Sequence, residues 1–291
     1  MTDSVKSTES LTWLITGCSS GFGLQFVRHA LATGHHVIAT SRNPSRTPDL
    51  VQEVEAAGGR WLQLDTDDAD SARVVTELEA AGTQIDVLVN SAGFSIAGPV
   101  EAFSEDEVRR LMETNFFGPY RLMRACVRFM RARRRGVIVN LSSGSGLQAR
   151  EVLGMYGASK SALDNITKTL AKEMKPFNVR VLLVYLGSFN TAMATKVDPV
   201  QKPLDPDYQG TVLQQFYDSF DSKTFVPKGD HKKAVKAIFD VVVGEGAGAG
   251  KEKEVQMILG KDCAVRLGEV RAGFDHMMDV FGEVCNNVDV D

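Results

Sequence analysis

A chain of 291 residues can bury a large core, and 43% hydrophobic with 24% charged residues exclude a disordered or collagen-like protein. A formal net charge of -4 supplies no basic field for nucleic acid or an anionic membrane, so neither is expected as a partner. Four scattered cysteines, Cys18, Cys126, Cys263 and Cys285, fit neither a disulfide framework nor metal-ligand spacing and are expected as reduced thiols.

The first ten residues are polar, and no apolar run is long enough to cross a bilayer, so a cytoplasmic location is expected. Short apolar runs at 12–16, 36–40, 60–64, 86–90, 137–141 and 180–186 then alternate with longer helical patterns, and 255–259 supplies a seventh. Such alternation predicts an α/β fold with βαβ units. Strands this continuously apolar imply a parallel sheet covered on both faces. Local signals agree: Gly34 ends the first helix, Pro48 opens the next, and Ser104 with Glu107 forms a capping box. The Gly-rich stretch 244–251 reads as flexible, and 190–229, without clear period, as a substrate-side lid, with a plain surface loop the alternative, in one domain spanning 1–291 that ends in a C-terminal extension.

Directly after the first strand comes Thr16-Gly17-Cys18-Ser19-Ser20-Gly21-Phe22-Gly23, followed by a helical pattern. Glycines at such a turn let the backbone approach a pyrophosphate, while free N–H groups and the helix dipole favour its charge. The spacing is TGxxxGxG, and here the chain resembles the short-chain dehydrogenase/reductase family. The resemblance covers about residues 10–195 and includes Asn90-Ser91-Ala92-Gly93, Asn115, Ser143 and Tyr156 with Lys160 in YGASK. It implies a doubly wound Rossmann-type sheet of about seven strands, an NADP(H) cofactor, and a homodimer or homotetramer built through the helices near 104–130 and 155–174. Two departures stand out: Ser91 replaces the second Asn of the family's NNAG, and Leu186-Gly187 stands where Pro-Gly is common.

At the end of the second strand, where a dinucleotide's ribose lies, the sequence offers Ser41 and Arg42 and no carboxylate. A hydroxyl and a guanidinium suit a 2′-phosphate, so NADPH is predicted over NADH, with Arg46 a substitute contact. Asp65 and Thr66 resemble the family's adenine contact, with turn formation the alternative for Asp65. Asn90, Ala92 and Gly93 would pass the cofactor's centre, Asn90 also tying strands together. Phe189 and Thr191 lie on the nicotinamide side by resemblance.

Tyr156 and Lys160 are one helical turn apart and share a face. An ammonium nearby should lower a phenol's pKa from about 10, making Tyr156 a usable acid/base. By resemblance Ser143, rather than Ser142, hydrogen-bonds the substrate oxygen. Asn115 sits inside a helix it does not favour, and by resemblance opens that helix to hold a water for the lysine.

The aromatic residues Phe189, Phe216, Tyr217, Phe220 and Phe225 are read either as an apolar substrate pocket or as packing. The basic run 131–135 reads as a solvated helix end. His29, His35, His36, His231 and His276 have no metal-ligand spacing, so no metal is expected. The expected activity is hydride transfer between NADP(H) and a ketone or aldehyde of a partly apolar small molecule, with specialised metabolism one setting. The alternative is an NADP(H)-binding regulator or scaffold without redox turnover.

Overall fold

The computed structural model describes residues 9–191, 193, 197–219 and 227–290. Seven strands form one sheet in the order β3-β2-β1-β4-β6-β7-β9. They are β1 (Thr12–Ile15), β2 (His36–Ser41), β3 (Arg60–Gln63), β4 (Val87–Asn90), β6 (Gly136–Leu141), β7 (Val179–Leu186) and β9 (Gln256–Leu259). Every neighbouring pair is parallel, as the apolar runs predict. A two-residue pair, β5 (Ile96–Ala97) with β8 (Asp198–Pro199), lies outside this sheet.

Alternation along the strands builds two cores. On β1, Trp13 and Ile15 face one side and Leu14 the other, all fully buried. Trp13 and Ile15 join Phe26 of α1 (Gly21–Ala32) and Ile238 of α9 (His231–Val243). Trp13 stacks on Phe239 with ring centroids 5.1 Å apart. Leu14 joins Leu122 and Met130 of α5 (Gly118–Arg133) and Leu163 of α7 (Gly154–Met174) on the opposite face. Each such side chain contributes roughly 1.5–3 kcal/mol by leaving water, so both helix layers are firmly attached.

The predicted punctuation is present. Gly34, just beyond α1, adopts φ +84°; Pro48 opens α2 (Pro48–Ala56), and α3 is Arg73–Ala80. The Ser104 hydroxyl and the Glu107 carboxylate cap α4 (Glu105–Met112) reciprocally. The stretch 244–251 corrects the expectation of flexibility. Gly244 closes α9 in a left-handed conformation, and a Cβ on Gly248 would overlap the Asp240 carbonyl. These glycines permit close packing onto α9 rather than chain freedom.

Within 190–229, a period too short to read yields α8 (Val212–Asp218), capped by the Thr211 hydroxyl. Its Leu213, Phe216 and Tyr217 pack on Val152 and Leu153, so these two aromatic residues serve packing. Phe220 and Phe225 lie outside the described residues. The chain finishes in α10 (Lys261–Cys285). Among the described residues, no helix is long and apolar enough to cross a membrane, no acidic, His or Cys cluster could hold a metal, and all four cysteines are free.

Candidate active site

The chain leaves β1 for β2 on one side and later returns to β4 on the other. A crevice therefore opens beyond the carboxyl ends of β1 and β4. A cavity of about 480 Å³ occupies it.

Its first wall is the turn from Gly17 to Phe22. Gly17 and Gly21 adopt φ +70° and +57°, conformations that side chains resist. A Cβ on Gly17 would lie 2.8 Å from the Ala92 Cα, and one on Gly23 would meet the Gly17 carbonyl. Gly23 is thus behind the wall, permitting the turn rather than touching a ligand. Thr16 bolts this turn to the Asn90–Gly93 segment: its hydroxyl accepts from the Ser91 and Ala92 N–H groups at 3.0 and 3.1 Å. The first N–H groups of α1 carry no intrahelical partner and face the crevice where Ser19, Ser20 and Gly21 line it. The cradle fits a pyrophosphate, which needs backbone approach and N–H donors.

Ser41, Arg42, Asp65 and Thr66, expected from the sequence to meet the adenosine, also line the cavity. Ser41 accepts a hydrogen bond from the Trp61 indole N–H at 3.0 Å, which fixes its hydroxyl and leaves its own proton to donate. Arg42 is exposed and its guanidinium forms no ion pair among the described residues. Arg46, exposed in a short 3-10 turn, is not on the wall. The Asp65 carboxylate accepts from the Asp67 N–H at 3.1 Å, so it shapes its own turn while facing the cavity.

Asn90 is buried behind the crevice: its side-chain amide donates to Asn140 on β6 at 2.8 Å, and Asn140 donates to Thr167 on α7 at 2.8 Å. The relay ties β4, β6 and α7 together, which is the strand-tying part of the expectation, and Asn90 itself does not line the cavity.

Ser143, Tyr156 and Lys160 meet on one wall. Ser143 caps a short helix, α6 (Gly144–Leu147), by accepting from the Ser145 N–H at 3.1 Å, and its own proton can go to the Tyr156 oxygen beside it or to a ligand. Ser142 instead lies buried beside Asp164, its hydroxyl outside hydrogen-bond geometry. The Lys160 ammonium sits 6.0 Å from the Tyr156 ring centroid and donates to the Leu141 carbonyl at 2.9 Å.

The expected acidification of Tyr156 by Lys160 is not what this arrangement produces. Burial holds the phenol above its ordinary range, the Ser143 hydroxyl pulls it down and the Asp164 charge pushes it up. Desolvation of phenolate is the largest of these influences, so the phenol stays above its ordinary range. Burial likewise brings Lys160 down to about 8, opposed by Asp164. Asp164, one turn beyond Lys160, is pushed up by burial to about 6, with Ser142 and Lys160 opposing.

Asn115 is fully buried in a π-helical turn (Glu113–Phe117) between α4 and α5. Pro119 has no N–H, so the Asn115 carbonyl lacks its usual helical partner, which is the local reason the helix widens. The Asn115 amide donates to the Phe94 carbonyl and the Ser159 hydroxyl, both at 3.0 Å, and its oxygen accepts from the Phe94 N–H at 3.1 Å. It thereby pins the chain just past Gly93, itself on the wall.

Phe189 is buried on the wall, edge-on to Phe22 at 5.4 Å, and Thr191 lines the cavity near Gly21. Gly187, next to the Leu186 that stands where the family often has proline, leaves room for an acid. Asp262 of α10 occupies the place of any Gly187 Cβ and accepts from the Ser188 N–H and hydroxyl at 2.9 and 3.0 Å. Sequence reading missed Thr16, Asp164 and Asp262 as contributors. Thr16 adjoins the motif and was within reach; the acids are marked only by burial and by contacts across the chain.

The family pattern described as short chain dehydrogenase matches residues 12–202. The oxidoreductase claN of Passalora fulva is 41% identical over 183 residues, 62% of this chain and 84% of that protein. Retinol dehydrogenase 8 of Homo sapiens is 33% identical over 244 residues, 79% of this chain and 77% of that protein. The crystal structure of a short-chain dehydrogenase from Streptomyces avermitilis superposes with a TM-score of 0.84 at 30% identity, covering 97% of this chain and all of that one. With the sheet order, the glycine turn and the Ser143–Tyr156–Lys160 wall in place, the chain belongs to the short-chain dehydrogenase/reductase family of oxidoreductases.

Proposed function

We propose that the chain is an NADPH-dependent carbonyl reductase or alcohol dehydrogenase acting on a partly apolar small molecule. The observation that carries this reading is the convergence of Ser143, Tyr156 and Lys160 on the cavity that also receives the phosphate-binding turn. NADPH, when bound, supplies the hydride. Ser143 directs its proton at the substrate oxygen, where negative charge develops as hydride arrives. Tyr156 delivers the proton: a phenol held above its ordinary range stays protonated through neutral pH, which suits the acid needed for reduction. Lys160 and the Asn115 region provide the support on which that proton is replaced. The name of the human relative, retinol dehydrogenase 8, is consistent with an apolar alcohol or aldehyde. Incubation with NADPH and a panel of ketones and aldehydes, followed by nicotinamide absorbance, tests the reading. Tight NADPH binding with no oxidation across the panel would favour a regulatory protein instead.

NADPH is preferred over NADH in this reading because Ser41 and Arg42 meet the ribose with a donor and a free guanidinium. Arg42→Ala is expected to weaken NADPH by roughly 10- to 100-fold, the range of charge-assisted hydrogen bonds. NADH should be nearly unaffected, which paired fluorescence titrations will read. Equal losses for both cofactors would show that Arg42 does not meet the phosphate.

Asp164 is a positioning residue in this scheme, acting through Lys160. Its carboxylate favours the ammonium, so Asp164→Asn should lower the Lys160 pKa further below about 8. The basic limb of the kcat/KM profile for reduction should move to lower pH, whereas a merely structural role would lower the rate without moving the limb.

A further inference from the structure

Three arginines beyond the ribose end line the cavity: Arg110, Arg150 and Arg266. Arg266 pairs with Asp262 at 3.2 Å, and Arg110 is exposed over the Phe94 ring. Arg150 differs. It is half-buried, its guanidinium carbon lies 4.9 Å from the centre of the Phe216 ring of α8, and it forms no ion pair among the described residues. Burial and the charge of Arg266 both work against its protonated form, while Glu151 and Asp262 only partly compensate. A partly desolvated cation without an anion is costly unless something supplies one.

The loop that presents Arg150 is itself held at a cost. Val152 is β-branched yet adopts φ +57°, a backbone conformation such residues avoid. Its side chain is buried against α8 and its carbonyl accepts from the Gly98 N–H at 2.8 Å, so the surrounding contacts enforce the conformation. This loop follows β6, three strand spacings or about 14 Å from β2, where Arg42 stands. The cofactor's ribose phosphate and Arg150 therefore belong to different ends of the crevice.

We propose that the substrate is an oxo or hydroxy compound whose apolar body ends in a carboxylate, and that Arg150, backed by Phe216, receives that carboxylate. The assignment rests on the oxidoreductase reading for its reacting carbon, but the anion subsite is tested separately. A carboxylate fits better than a phosphate because one guanidinium offers a planar two-donor fork and a single charge. Leu153 on the same wall supplies apolar surface for the body.

Two measurements decide it. Isothermal titration of the NADPH complex with phenylbutyrate and with phenylbutyramide should show the acid bound about 10- to 100-fold more tightly. Arg150→Gln should bring the two to parity and Arg150→Lys should restore part of the preference. In parallel, aryl oxo acids of increasing chain length, each beside its methyl ester, are offered as substrates, and the acid is expected to have the higher kcat/KM. Equal binding and equal turnover of acid and neutral partner by the parent protein would overturn the subsite, leaving Arg150 as a latch on Phe216, and would leave the reductase reading intact. Preferential acid binding with no turnover of any pair would uphold the subsite and overturn the reductase reading instead.

Discussion

Tyr156→Phe is expected to reduce turnover by roughly 10²- to 10⁴-fold, the contribution of a positioned general acid, while NADPH affinity stays within a few-fold of the parent. The change removes one oxygen from a buried ring, so packing is almost conserved. Lys160 is a poor substitute, because its ammonium is anchored on the Leu141 carbonyl and lies 6.0 Å from the ring centroid. In the proposed scheme Ser143 would still donate to the developing alkoxide, so residual activity should survive at the level of oxyanion stabilisation alone. Single-turnover absorbance at saturating NADPH, with a separate cofactor titration, reads both quantities. The raised phenol also sets a direction with pH: below its pKa the proton donor is populated and reduction is supported, and above it the base required for alcohol oxidation appears. The ratio of reduction to oxidation should therefore fall as pH rises. Turnover within a factor of three of the parent would remove Tyr156 from the chemistry.

The second large effect is expected at Gly23, which touches no ligand. Gly23→Ala places a methyl group against the Gly17 carbonyl, backbone against backbone, where neither can rotate away. Overpacking of this kind costs about 1–3 kcal/mol, and relief comes only by opening the turn. NADPH affinity should fall by about 10- to 100-fold, the same energy expressed as binding. Gly34→Ala is the control: that glycine also has a positive φ, but no atom lies within 4 Å of its would-be Cβ. It should lower the melting temperature modestly and leave cofactor titrations unchanged. If both variants lose stability equally and neither loses NADPH, the turn does not hold the pyrophosphate.

The parallel sheet and its strands were legible in the sequence because each apolar run is bracketed by glycine turns or capped helices, and local signals of that kind act within a few residues. The glycine turn, Tyr156 with Lys160, and Ser41 with Arg42 could be read for the same reason: one turn of helix or one strand end fixes their spacing. The electrostatics could not. Whether Lys160 acidifies Tyr156 is settled by the burial of the phenol, which tertiary packing sets. Asp164 and Asp262 look like ordinary helix acids until tertiary packing buries one beside Ser142 and sets the other against Gly187. The stretch 244–251 misled for a related reason. Glycine-rich composition signals either freedom or tight contact, and only Asp240 opposite it tells which.

The hold that Asp262 keeps on Ser188 bears on the order in which a new chain can become competent. Synthesis delivers the glycine turn and the strands β1 to β4 early, and α7, which carries Tyr156 and Lys160, next. The strand-end loop after β7 waits for α10, which is translated after both. A nascent chain thus carries the glycine turn and α7 well before the loop after β7 gains its Asp262 anchor.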